Sequence, residues 1–309
     1  SELKALLEGM KASEHLTSGI ANVDAAIAVP AGVLAKLEAA NTFTDEETGL
    51  PLISRSEADI SRPTGQPGAM FVDSDGGAGK ISSDLVIGEL KDAQPGIEKY
   101  SSVQCTSSSS LISWAGGSKG VSGIHTVYHV ANVADVPRAL EALHVRLVLA
   151  GHAKHKLSAS GAFLPRSHVD QALRPASQPI FARAMCGEGV KQDKPVRLNP
   201  GIEVMDTAKA IPALTQAERL AYADALMKAR AEMQPEMARV AADYMKTRAT
   251  DMARREGMSI AAATKIIQAS VEIDTLAGGF TIHTGMGRVA VSEILDNPTA
   301  WHGKTCRDP

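Results

Sequence analysis

The chain has 309 residues, of which 44% are apolar and only 4% aromatic, so it can bury a sizeable core built mainly from Ala, Val, Leu, Ile and Met. Its formal charge is −3, no run approaches the length of a membrane helix, and the N-terminus shows no charged-then-apolar leader, so the expectation is a cytoplasmic protein that engages no membrane. Cys105, Cys186 and Cys306 are odd in number and widely separated, which argues against a disulfide framework and against a cysteine-rich zinc site.

Small apolar residues from Ser18 to Leu37 recur at helical spacing, broken at Pro30 and Gly32, and residues 41–69 read as loops with short strands. The run Gly68-Ala-Met-Phe-Val-Asp73 predicts a buried strand ending on an acid. Val103 to Ile112 predicts a second strand and Gly123 to Val130 a third, with His125, Val127 and His129 on one face. Val136, Leu140, Leu143 and Leu147 predict a helix over 135–150, with Pro137 near its start, where a helix tolerates it. Residues 158–170 read as turn and strand, and Pro175, Pro179, Pro195 and Pro200 mark an irregular tail. Thr215-Gln-Ala-Glu218 fits a capping box opening a helix that should stop at Pro235. Met237, Val240, Ala241, Tyr244, Met245 and Met252 predict a second helix, closed by Gly257, and Ser259 opens a third. Gly278-Gly279 and Gly285-Met-Gly287 bound a short hairpin. The domains expected from this pattern are residues 1–205 and a mainly helical 206–309.

Charge is unevenly distributed. Residues 1–75 hold 12 acids against 5 Lys/Arg, whereas residues 119–200 hold 11 Lys/Arg against 5 acids and six histidines. The basic stretch is either a solvated face or a surface for phosphates of a nucleotide or a template strand.

Three groups of residues carry candidate chemistry. In Asp73-Ser-Asp75 the acids are two apart, so on a strand both carboxylates face one way and can grip a shared pair of divalent ions; an isolated pair of this kind is also common in surface turns. The adjoining Asp75-Gly-Gly-Ala-Gly-Lys80 is not a Walker A loop, because Ser74 and Ile81 stand where Gly and Ser or Thr are required, so no ATPase is expected. His125 follows the glycine-rich 116–120 loop and can donate to nucleotide phosphates or serve as a structural histidine. Val169-Asp170, preceded by Lys154, Lys156, Ser158, Ser160 and Arg166, offers a third metal ligand and contacts for a triphosphate. His144, His152 and His155 lack a fourth partner for a zinc site and read as exposed or phosphate-facing.

An acid-x-acid strand, a Ser/Gly-x-His strand about 50 residues later and a hydrophobic-Asp element about 45 residues beyond, quoted from Asp73-Ser-Asp75, Ser122-Gly-Ile-His125 and Ser167-His-Val-Asp170, resemble the three-part signature of archaeo-eukaryotic primases. The match is most similar to the primase-polymerase branch of plasmids, phages and mobile elements, over roughly residues 15–200. Val291 to Lys304 also resembles the segment that follows such domains ahead of a helicase. The resemblance implies an α+β fold with an RNA-recognition-like core, a mixed or antiparallel sheet carrying the acids, and a small helical C-terminal subdomain. It implies a DNA primase and DNA polymerase that makes and extends primers on a single-stranded DNA template from NTPs or dNTPs, with two Mg²⁺ or Mn²⁺ ions and a helicase, fused or separate, as partner in DNA replication. Carried over by residue, Asp73, Asp75 and Asp170 would bind the metals and His125 the triphosphate, with Ser122 nearby. Lys156, Ser158, Ser160 and Arg166 match as nucleotide contacts by type. Gly123 occupies the position two before the histidine where the family usually has Ser. Two other readings stay open: a replication-initiator nuclease, which would want a tyrosine nucleophile and a His-x-His pair, and a non-catalytic module that docks a helicase through residues 215–273.

Overall fold

The computed structural model describes residues 2–24, 26–76, 81–271, 281–284, 287–290 and 306–307. The fold is α+β, with small, mostly antiparallel sheets and a helical C-terminal part. Among the described residues no helix is long and apolar enough to cross a membrane. The helices are α1 (Glu2–Gly9), α2 (Ala31–Ala39), α3 (Ser83–Ala93), α4 (Val136–Leu149), α5 (Thr207–Ala210), α6 (Gln216–Glu256) and α7 (Ile260–Val271). The central sheet has four strands, β1 (Gly68–Asp75), β2 (Ser102–Thr106), β3 (Gly123–Val130) and β4 (Val196–Asn199), all neighbours antiparallel in the order β4-β2-β3-β1.

This sheet positions everything that follows. Met70, Phe71 and Val72 of β1 are buried, and in β3 every residue but His129 is buried, so these strands read as near-continuous rather than alternating runs, as expected when both faces are covered. One face carries Val72, Ser74, Thr126 and Gln104, and α3 lies on it: Gln104 donates to the Ser83 carbonyl at 3.3 Å and Arg197 pairs with Asp84 at 2.5 Å. The opposite face carries Asp73, Asp75, His125 and Cys105, with His125 directly between Asp73 and Cys105 in register.

The sequence pattern gave no warning of α3. Its Ser82 side chain accepts from the Leu85 N–H as N-cap, and Val86 and Leu90, one turn apart, are fully buried. Gly88 interrupts the apolar pattern and hides the helix. α4 matches expectation, packs against α3 and buries nine residues. Pro30 precedes α2 and starts it, where a break was expected. The expected second strand ends at Thr106, and the chain then turns into a separate ribbon, Ile112–Trp114 paired with Gly117–Lys119 and with Lys191–Gln192.

The chain forms two compact units, the first Ser1–Lys156 with Leu164–Ala231, the second Leu157–Phe163 with Glu232–Pro309. The expected boundary at 205/206 lies inside the first. That first unit holds the central sheet, α3, α4 and a continuous core that also takes in Leu7 and Met10. In the second unit Ala249, Ala253, Ala263 and Ile267 pack together, with Gly257 at φ 65° making the turn between α6 and α7. Gly161, at φ 83°, lets the 157–163 loop lie on α6, since a Cβ there would stand 2.6 Å from the Met237 carbonyl oxygen. Thr281–Thr284 pairs with Gly287–Ala290 and with Cys306–Arg307.

The helix predicted to stop at Pro235 does not: α6 is continuous from Gln216 to Glu256 with Pro235 inside it. Proline removes one hydrogen bond, from residue 235 to the Ala231 carbonyl, and a long helix flanked by good formers can absorb that loss. The residues from Gly278 to Gly279, the Gly76–Lys80 loop beyond Gly76, and Val291 to Lys304 lie outside the described residues.

Candidate acid-lined site

β1 delivers Asp73 and Asp75 to one face at its C-terminal end, while Ser74 between them is buried on the other, its hydroxyl donating to the His168 carbonyl at 3.2 Å. β3 places His125 opposite Asp73, with Nε2 3.4 Å from Asp73 Oδ1. The pair is close but misaligned, because Asp73 Oδ1 is buried without a hydrogen-bond partner and His125 Nδ1 is likewise unpartnered. Asp170 arrives from a separate stretch as the cap of a one-turn helix, Gln171–Leu173, accepting from Ala172 N–H at 3.0 Å and from Arg166 Nη1 at 2.5 Å. Lys156 Nζ stands 3.5 Å from Asp75 Oδ2.

Asp73, Asp75, Lys154, Lys156, Arg166, Ser167 and Asp170 line one small cleft whose free space is about 20 Å³, room for about one water or ion. A larger cavity of about 500 Å³, lined by Glu141, His144, Arg174, Arg219 and Tyr222 among others, shares no lining residue with it. The small cleft carries the candidate chemistry because its lining is charged and its acids are mutually strained. Burial first, then repulsion from Asp75 and Asp170, pushes the Asp73 carboxyl up to about 7. Burial, aided by the nearby Lys194 ammonium, lowers His125 to about 4, so it is a neutral imidazole at physiological pH.

Seven of the residues expected from the sequence therefore come together: Asp73, Asp75, Asp170, His125, Lys154, Lys156 and Arg166. Ser122 stands apart, in a hydroxyl cluster with Ser109 at 2.8 Å and Ser110 at 3.2 Å. Ser158 and Ser160 belong to the second unit and bond each other at 3.0 Å, Ser158 also capping the Ala162 N–H. His144 is a correction. It is buried, not exposed, with Nδ1 2.9 Å from the Ser167 hydroxyl and Nε2 2.9 Å from the Tyr222 hydroxyl, because its helix position faces the core. His152 pairs with Asp92 at 3.5 Å, and His155 Nδ1 accepts from the Arg166 N–H at 3.4 Å.

A further group escaped the sequence reading. His168 is fully buried, hydrogen-bonded through Nε2 to Glu89 of α3, with Nδ1 3.4 Å from Lys154 Nζ, and Lys154 lines the acid cleft. Desolvation is the largest influence on both, lowering His168 and Lys154 alike. The only hint was His168 standing two residues before Asp170; its partner Glu89 sits on the unpredicted helix.

The donor set fits a hard divalent cation such as Mg²⁺ or Mn²⁺: three carboxylates face one cleft, and Asp73 carries a buried oxygen with no partner. Among the described residues no three His, Cys, Asp or Glu side chains stand close enough together to hold a metal as they now lie, and Lys156 and Arg166 pair with Asp75 and Asp170. A cation would enter by displacing those two side chains. The chain matches no family model, no curated protein and no solved structure.

Proposed function

We propose that the protein is a template-dependent nucleotidyltransferase of the primase-polymerase kind, which starts and extends strands on single-stranded DNA. The supporting observation is the convergence of Asp73, Asp75 and Asp170, from stretches almost 100 residues apart, on one cleft rimmed by Lys154, Lys156 and Arg166, with His125 beside Asp73. The β-α-β-β-α-β order of the central sheet is in keeping with an RNA-recognition-like core, with the departure that its fourth strand joins beside the second and not beside the first.

In this reading a 3′-hydroxyl oxygen attacks the α-phosphorus of a nucleoside triphosphate, the new O–P bond replaces the bond to the β-phosphate, pyrophosphate leaves with the electron pair, and the hydroxyl proton passes to solvent. Asp73, Asp75 and Asp170 would hold two Mg²⁺ or Mn²⁺ ions, which when bound supply charge neutralisation for the triphosphate and activation of the hydroxyl. Lys154, Lys156 and Arg166 balance the three acids that share their cleft. With cations held by the acids, these three side chains would be available to the phosphate oxygens. Neutral His125 has one N–H to offer, to Asp73 or to a phosphate oxygen. The residues of 291–304 are the basis for expecting a helicase partner in a mobile-element, plasmid or phage setting.

The test is dinucleotide synthesis from labelled NTPs and dNTPs on single-stranded DNA with Mn²⁺. Asp73→Asn with Asp75→Asn should reduce product by roughly a thousand-fold or more. Undiminished synthesis by that double variant overturns the reading. None of the four tyrosines lines the acid cleft, which leaves the tyrosine-dependent nuclease without a nucleophile there. Metal-dependent cleavage of labelled DNA with nucleotides omitted would restore it. Helicase capture unaltered by the double variant, with no nucleotide binding by the wild type, would favour the docking module.

A further inference from the structure

The ribbon Ile112–Trp114/Gly117–Lys119 grows from the end of the sheet that carries the acids. Its base is tied there: Gly76 N–H, one residue past Asp75, donates to the Ser122 carbonyl at 2.7 Å, and Gly123 pairs opposite Asp75. Its register sets Trp114 opposite Gly117 and Ile112 opposite Lys119, so these four side-chain positions share one face. Trp114 is 49% exposed, a costly place for the largest apolar side chain unless the ring is used. The ring lies beside two glycines. A Cβ at Gly117 would meet the ring at a tight 3.3 Å and one at Gly116 at an ordinary 3.5 Å, so the indole lies along this glycine backbone. Its other side is left to solvent.

Charge on this ribbon has one sign. Residues 107–122 contain a single charged side chain, Lys119, and no acid; the adjoining segment adds Lys191 opposite Ser113, on the face away from Trp114, and Asp193, whose N–H donates to the Leu111 carbonyl at 3.0 Å. Among the described residues neither lysine has an ion-pair partner. Lys119 stands two residues along from the strand position facing Trp114, or about 7 Å, close to the step between successive units of an extended single strand. A half-exposed flat ring with a cation one nucleotide step away on the same face matches the stacking platforms that hold single-stranded nucleic acid without reading its sequence.

We propose that Trp114 is a base-stacking platform and Lys119 its phosphate contact, together guiding a single strand toward the acid cleft. The inference takes its partner from the nucleotidyltransferase reading, but its evidence is the ribbon alone.

The test uses the full chain carrying Trp301→Phe, which leaves Trp114 as its one tryptophan. Adding oligo(dT) or oligo(U) should quench Trp114 fluorescence, and a blunt DNA duplex should not; whichever single strand binds more tightly names the natural polymer. By anisotropy of a labelled single strand, Trp114→Ala should weaken binding about 5- to 100-fold while Trp114→Phe stays within a few-fold of the parent. Lys119→Ala should flatten the log–log salt slope by about 0.7. Unquenched fluorescence, equal quenching by duplex, or unchanged affinity in Trp114→Ala overturns the proposal. The pair Asp73→Asn and Asp75→Asn separates the two ideas: quenching that survives in this variant with synthesis lost supports both. Quenching in a wild-type chain that makes no dinucleotide supports the platform and sinks only the polymerase.

Discussion

Asp73 is held by burial and by two like-charged neighbours at a pKa of about 7, against an ordinary value of 3.8, and this ties its charge to stability. A carboxyl whose folded value is raised contributes favourably while protonated; that contribution is present below about 3.8 and is lost as pH rises through about 7. Above that point the ionised group costs roughly 4–5 kcal/mol, at about 1.4 kcal/mol per unit. Asparagine cannot ionise, so Asp73→Asn should gain stability relative to the parent between pH 4.5 and 8 in the presence of a chelator. Urea denaturation at four pH values measures it, and a difference that stays constant across that range would contradict the assignment. The acid pair itself was legible, because period-two geometry puts residues 73 and 75 on one face whatever the strand pairs with. The neighbour of Asp73 was not. That His125 stands opposite Asp73 depends on strand register across 52 residues, and that His168 is sandwiched by Glu89 and Lys154 depends on a helix whose pattern Gly88 obscures.

α6 illustrates how elements answer to more than local signals. Its start was readable: Thr215 and Glu218 form the expected reciprocal cap, the Glu218 N–H donating to the Thr215 hydroxyl at 3.1 Å and the Thr215 N–H to Glu218 at 2.7 Å. Glu218 also receives Arg146 at 2.8 Å, which with the cap draws its carboxyl down to about 2. The expected stop at Pro235 failed, and yet the proline leaves a mark. The bond it removes would end on Ala231, and the boundary between the two compact units falls between Ala231 and Glu232. Pro235→Ala restores that bond and should stabilise the helix by about 1–3 kcal/mol. Hydrogen exchange should slow at residues 232–239, and unchanged exchange there would show that the proline is already fully accommodated. β4 was overlooked for the converse reason: Pro195 and Pro200 flank a run of only four residues, and only its pairing with β2 makes it a strand.

In the protein as a whole, all three acids, with Lys154, Lys156 and Arg166, belong to the first unit, so cation binding should register as stability of that unit. Mn²⁺ at a hundred times its dissociation constant adds about 2.7 kcal/mol to the folded state. Thermal unfolding should therefore shift up by several degrees with Mn²⁺ in the parent and not in Asp75→Asn; an equal shift in both would place the metal elsewhere. Period and capping chemistry suffice to read a helical C-terminal part, the strand of the acid pair, α4, the start of α6 and the Gly257 turn, since each is written in residues within a turn or two of one another, while the α+β class was implied by the resemblance. Folding decides the rest: the β4-β2-β3-β1 order, the meeting of Asp170 with Asp73, the burial of His144 and His168, and the removal of Ser158 and Ser160 to the second unit. Those outcomes depend on contacts between segments tens of residues apart, where packing and desolvation select among arrangements that local patterns leave equivalent.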